Sequence, residues 1–222
     1  MNARLVLILV IAILLPACRN STGDQSDKLW GATMGTRYHI RLGTALGKEE
    51  AVDLQGAISE RLDNIESSMS TYEPDSEISR FNANRSSDWI DVSREFAQVV
   101  ESAQEISRLT GGAFDITVGP LVELWGFGAA SDSPDGQSTS AIPSPEQIAA
   151  IRAATGFTHL EVRLDPPALR KLTNPQLQID LSGIAKGFAV DAVAELLELR
   201  LADALDRRER CGGPRALARH LL

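Results

Sequence analysis

The stretch Ile179-Asp180-Leu181-Ser182-Gly183-Ile184-Ala185-Lys186-Gly187-Phe188-Ala189-Val190-Asp191 brings a carboxylate, a hydroxyl, a glycine and an ammonium to one place in the chain. Leu177 to Leu181 reads as a buried strand, and Ala185, Ala189, Ala192, Val193, Leu196 and Leu197 form the apolar stripe of a helix after it. The acid then ends a strand, and the lysine lies in the first helical turn. Free amides at a helix N-terminus attract anions, and a nearby ammonium strengthens that attraction. A phosphate or a metal-bound phosphate is the natural guest. No glycine stands five residues before a Gly-Lys-Ser/Thr run, so the stretch is not a P-loop. A plainer description fits equally well, with Asp180 and Ser182 capping the helix and Lys186 in solvent.

A second stretch, Thr110-Gly111-Gly112-Ala113-Phe114-Asp115-Ile116-Thr117-Val118-Gly119-Pro120-Leu121, leads to Trp125-Gly126-Phe127-Gly128. Paired glycines permit positive φ and close backbone approach, so Ala113 to Asp115 are placed to offer amides and a carboxylate to a ligand. A helix C-cap followed by a strand with Phe114 in the core fits the same residues. Ser182 lacks the nucleophile-elbow pattern, and no Cys/His spacing suits zinc. His39 and His159 fall on strand alternations, as exposed or satisfied structural residues.

The elements that must position these groups are an α+β mixture. Tyr38, Ile40 and Leu42 alternate with Arg37, His39 and Arg41 as a half-buried strand, with Met34-Gly35-Thr36 at its entrance. From Glu50, Leu54, Ala57, Ile58, Leu62, Ile65 and Met69 share one helical face, with Glu60, Arg61 and Asp63 outside it. A loop carries Ser70-Thr71-Tyr72-Glu73-Pro74-Asp75, then Ser79-Arg80-Phe81-Asn82 leads to a short strand near Trp89 to Val92. Ser93 is an N-cap for a helix whose stripe is Phe96, Val99, Val100, Ala103 and Ile106, closed by Gly111-Gly112. Residues 126 to 145 read as a surface loop, and Ser144-Pro145-Glu146-Gln147 as a capping box. Thr158 to Leu164 alternates as a strand, and Asn174-Pro175 is a turn.

The 222 residues, 43% hydrophobic, can fill a proper core. A net charge of -8 and scattered aromatics exclude nucleic acid as a partner. The charge is uneven, because residues 200–222 hold six Arg and three acids, which leaves the body at -11 and the tail at +3. Two cysteines, Cys18 and Cys211, make no disulfide framework. Arg4 and the apolar run Leu5 to Leu15 form a leader, since a membrane span needs about 20 apolar residues. Leu15-Pro16-Ala17-Cys18 resembles a bacterial lipobox, so lipidation at Cys18 is expected, with Pro16 an unusual residue there. The expected divisions are a signal peptide over 1–17, a tether over 18–29, a domain over 30–199 and an aberrant, frameshift-like tail over 200–222.

Four ordered motifs carry a resemblance: Met34-Gly35-Thr36; Ser70-Thr71-Tyr72; Gly111-Gly112-Ala113-Phe114-Asp115 with Val118-Gly119-Pro120; and Asp180 to Gly187. Together, from about Trp30 to Leu199, they resemble the ApbE family of FAD:protein FMN transferases, and a lipoprotein signal fits that family. The resemblance implies a T-fold-like core with a mixed sheet. It implies that FAD is split at its pyrophosphate with Mg²⁺ and that FMN is joined to a Ser or Thr of a flavin-accepting membrane or periplasmic protein, with AMP released. It also implies that Met34, Tyr72, Ala113, Phe114, Asp115, Asp180 and Lys186 bind FAD, with Tyr72 near a ring face, and that the Gly183 carbonyl faces the metal. The family continues with a Gly-rich strand, a catalytic His, and an Asp and Thr for Mg²⁺. None is found after Leu199, and His220 stands in no motif, so impaired activity is the expectation. A non-catalytic FAD-binding lipoprotein is the alternative. Either would be exported and held at the membrane by its lipid.

Overall fold

The computed structural model describes residues 28–43, 46–128 and 142–210, of which 203–210 are described by backbone alone. The leader, Cys18, most of the 126–145 loop and residues 211–222 lie outside that range. Among the described residues no helix is long and apolar enough to cross a membrane.

Two strands open the fold, β1 (Lys28–Thr33) and β2 (Thr36–Arg41), antiparallel and in register from Lys28 opposite Arg41 to Thr33 opposite Thr36. Lys28 and Leu29, expected in the tether, are part of β1 because Leu29 has core to bury against. Met34 and Gly35 join the strands with φ of 49° and 68°, the positive values a two-residue hairpin needs to follow the strand twist. Glycine adopts this freely, whereas methionine there costs about 1 kcal/mol.

Helix α1 (Lys48–Met69) buries Leu54, Ile58, Leu62, Ile65 and Met69, the stripe expected from its periodicity. Arg61 is not a free surface charge: its guanidinium pairs with Glu95 through both nitrogens and lies 5.8 Å from the Phe188 ring centre. The Glu95 carboxylate holds it above its ordinary pKa. A short α2 (Glu77–Ala83), a stretch to which the sequence assigned no element, is capped by Ser76 and buries Ile78 and Phe81. β3 (Ile90–Asp91) leads to α3 (Arg94–Leu109), capped by Ser93 as expected. Ile106 was expected in its stripe but is exposed, at the edge of that face.

A 3-10 turn (Ile116–Val118) and α4 (Gly119–Leu124) follow. Next comes α5 (Pro145–Arg152), whose Ser144 and Gln147 complete the expected capping box. β4 (Leu160–Leu164) pairs with β5 (Pro167–Lys171), and β5 with β3, in a second antiparallel sheet ordered β3-β5-β4. The guanidiniums of Arg163 and Arg170 lie over the Trp89 ring, at 4.5 and 4.7 Å from its centre. The α+β class holds, and among the described residues the strands form two small antiparallel sheets. The last helix, α6 (Ala185–Arg210), packs on α1 and runs unbroken past Leu199, with Leu201 still against the core.

Leu177 to Leu181 is extended, with Leu177, Ile179 and Leu181 inward, but belongs to neither sheet. The Asn82 side chain takes the place of a neighbouring strand: its Nδ2 donates to the Ile179 carbonyl at 2.9 Å, and its Oδ1 accepts from the Ile179 amide at 2.8 Å. The Asp180 amide donates to the Ile116 carbonyl at 2.8 Å. An amide side chain can satisfy both polar groups of one peptide position, so no ladder is needed there.

Lys171, on β5, is fully buried. Its Nζ donates to the carbonyls of Asn84 at 2.6 Å and Pro175 at 3.3 Å, and reaches that of Asn82 at 3.5 Å, so it caps the C-terminal end of α2. Burial, and secondarily the charge of Arg85, pushes its pKa from 10.5 down to about 8. Between these values the unfolded chain keeps a proton that the folded chain releases, so folding stability rises with pH across the window. Denaturant titrations of wild type and Lys171→Met from pH 7 to 10.5 should show the wild type gaining on the order of 2 kcal/mol relative to the variant; parallel curves would contradict this.

Candidate functional site

The loop between α1 and α2 is tied down at both ends. Ser76 Oγ donates to the Ser70 carbonyl at 2.7 Å, and the Tyr72 amide donates to Ser70 Oγ at 3.3 Å. Tyr72 is thereby raised above the end of α1, 55% exposed, and its hydroxyl donates to the Phe127 carbonyl at 3.2 Å. Opposite lies the hairpin turn. Glu66 Oε2 accepts from the Met34 amide and from Thr33 Oγ1, each at 3.4 Å, which fixes the strained Met34 against α1.

At the start of α6, Asp180 Oδ1 accepts from the Ser182 amide at 2.7 Å, and the Ile184 and Ala185 amides donate to the Leu181 carbonyl at 2.9 and 2.8 Å. The carboxylate thus turns the extended segment into the helix, as the capping description expected. Ser182 and Lys186, both exposed, are left for a ligand.

These three elements enclose a cleft of about 420 Å³ lined by Met34, Glu66, Met69, Ser70, Tyr72, Ser182 and Lys186, among others. Three expected binding residues, Met34, Tyr72 and Lys186, are therefore brought together from positions far apart in sequence. Met69 belongs to the core, as expected, and also floors the cleft. Lys186 and Met34 also line an adjoining, mostly apolar groove of about 350 Å³ between β2 and α6.

Ala113, Phe114, Asp115 and Asp180 are not in the lining of this cleft. Asp115 caps the 3-10 turn: its Oδ1 accepts from the Thr117 amide at 2.8 Å and the Thr117 hydroxyl at 2.7 Å, while its Oδ2 accepts from the Phe157 amide at 2.8 Å. Phe114 lies over Gly183, where an added Cβ would sit 3.2 Å from its ring. Gly183 is thus a place of close approach between the two motif regions. No group of three or more His, Cys, Asp or Glu side chains converges among the described residues, so a Mg²⁺ ion at the cleft would draw its oxygens from phosphates, water and single protein groups. Glu66 was not singled out in the sequence, although an acid in the last turn of a helix opposes the dipole and marks it as held there for another reason.

A model of the ApbE family matches residues 34–204. The FAD:protein FMN transferase of Vibrio cholerae serotype O1 is 41% identical over 192 residues, covering 86% of this chain and 54% of its own. That of Haemophilus influenzae is 40% identical over 199 residues, covering 87% and 54%. Among solved structures, the flavin transferase ApbE from Vibrio cholerae has a TM-score of 0.70 at 42% identity, covering 79% of this chain and 54% of its own. The apo flavinyl transferase ApbE of Pseudomonas stutzeri gives 0.66 at 34%, covering 79% and 56%. The chain spans about half the length of the curated relatives it matches.

Asp115→Ala removes three hydrogen bonds and strands two partly buried amides, and should cost about 2–4 kcal/mol in urea unfolding. A loss below about 0.5 kcal/mol would show that the carboxylate is not a structural cap.

Proposed function

The chain belongs to the ApbE family, and from that premise we propose that it binds FAD in the cleft and passes FMN to a Ser or Thr of a flavin-accepting protein, releasing AMP. The observation that carries this reading is the meeting of Lys186 and Ser182, at a helix start, with Tyr72 and Met34 in one cleft. In the proposed reaction the acceptor oxygen attacks the FMN phosphorus, the pyrophosphate bond breaks, AMP leaves with the bridging oxygen and the hydroxyl proton is released. Such a transfer asks for alignment and charge neutralisation more than for covalent help.

The chain's own residues supply the first part of this. The Lys186 ammonium attracts the pyrophosphate, and Ser182 offers a hydroxyl beside it. Tyr72 and Met34 offer an aromatic face and a polarisable thioether to a flat ring. Ala113, Phe114, Asp115 and Asp180 are proposed to serve the ligand from behind these groups, through the packing of Phe114 on Gly183 and the turn made by Asp180. Mg²⁺, with the Gly183 carbonyl among its donors, belongs to the proposal through the family resemblance; when bound it would neutralise phosphate charge. Export and lipidation at Cys18, with the protein on the outer side of a membrane, are proposed from Arg4, the Leu5 to Leu15 run and the residues before Cys18. Labelling with a radioactive fatty acid should mark the wild type and not Cys18→Ser.

Titration of the full chain with FAD in magnesium-containing buffer, followed by flavin fluorescence, tests the central claim. Lys186→Met should weaken binding about 10- to 100-fold, the range for one charge-assisted contact. Absence of FAD binding by the wild type would remove the flavin reading. Binding without AMP release in the presence of a target protein would leave the non-catalytic FAD-binding reading standing instead.

A further inference from the structure

Helix α4 ends in a specific way. The Phe127 amide donates to the Val122 carbonyl and the Gly126 amide to the Glu123 carbonyl, both at 3.0 Å, with Gly126 at φ 75°. This is the paired pattern of a Schellman cap, in which a left-handed residue turns the chain sharply back over the last helical turn. Glycine takes that φ at no steric cost, and any other residue resists it.

The turn fixes where the next carbonyl points. That carbonyl, of Phe127, is the acceptor of the Tyr72 hydroxyl across 55 positions of sequence. The Phe127 side chain is 75% exposed, and its amide is held by the Val122 carbonyl, so the cap anchors the backbone that carries this acceptor. On the other side, the Tyr72 amide and the Ser70 carbonyl are both tied to serine hydroxyls, which fixes the backbone from which the ring projects. The aromatic ring in the cleft therefore has two anchors, one at its root and one at its tip.

We infer that Gly126 is a positioning residue for the ligand in the cleft: it places the Phe127 carbonyl, which holds the Tyr72 hydroxyl and so presents the ring's face, rather than its polar tip, to a bound dinucleotide. The inference rests on the reading of the cleft as an FAD site. An exposed tyrosine ring turns freely about its Cα–Cβ bond unless its hydroxyl is tied, and a tied ring offers a stacking surface without first losing that freedom. The hydroxyl, engaged with Phe127, is not the group the ligand uses.

The test is a double-mutant cycle on the full chain, reading FAD affinity and the circular dichroism of the bound flavin. Tyr72→Phe keeps the ring and removes only its tether; it should raise the Kd about three- to tenfold and weaken the flavin dichroism, with the urea midpoint unchanged. Gly126→Ala should do the same, and the double variant should be no worse than the weaker-binding single. If Tyr72→Phe binds FAD as the wild type does, or if the two effects multiply, the positioning role is overturned while the FAD reading survives. If the wild type itself binds no FAD, both fall. Should Gly126→Ala fail to fold, Gly126→Asn, a residue that tolerates the left-handed region better, replaces it in the cycle, and a loss of affinity that adds to that of Tyr72→Phe would again overturn the role.

Discussion

The hydrogen bonds between Asn82 and the Ile179 peptide are the constraint on which the rest of the cleft depends. The segment from Leu177 to Leu181 runs through the core with three apolar side chains inward and, among the described residues, no strand paired with it. A buried peptide without partners costs about 1–3 kcal/mol for each unsatisfied group, so an extended chain would not stay there unaided. One asparagine, itself on a two-turn helix held by Ser76 and Phe81, supplies both partners. With Ile179 fixed, Asp180 faces Ile116, the Asp180 turn starts α6, and Ser182 and Lys186 come to the cleft in a set order.

The cleft is assembled from parts that are each locally determined. The hairpin turn brings Met34, the loop after α1 brings Tyr72, and the start of α6 brings Lys186. Each carries its own internal restraint: Glu66 on the turn, the Ser70 and Ser76 hydroxyls on the loop, and the Asp180 carboxylate on the helix start. Polar side chains that the chain spends on its own backbone are thus interleaved with those left facing the cavity. The two kinds stand next to one another, as with Asp180 and Ser182.

That interleaving explains what could be read from sequence and what could not. Ser93 and Ser144 were legible as caps, and the α1 stripe as a buried face, because capping and amphipathic periodicity are local properties. Met34, Tyr72 and Lys186 were legible as a group only through the order of four motifs, since nothing local states that they meet. The chemistry of Asp115 was not legible, because a carboxylate after a glycine pair looks the same whether its oxygens face a ligand or the Phe157 amide 42 positions later. β5 escaped notice because it begins at a proline and ends at a lysine, and the burial of Lys171 depends on three carbonyls that come together only in the fold. The segment before Ser182 has a strand's alternation without a strand's partners, and periodicity reports only the first.

Glu66 has an effect on how the cleft meets its surroundings. Among the described residues that line the cleft, Glu66 is the one carboxylate and Lys186 the one ammonium, so the formal charges of these walls cancel. The rest of the body carries an excess of acids. A dianionic guest thus receives no long-range pull toward the opening and meets weak repulsion from the molecule as a whole, which mobile ions would damp over about 10 Å. Capture should be governed by ordinary diffusion and residence by short-range contacts, so added salt would hasten arrival slightly and shorten the stay through the lysine.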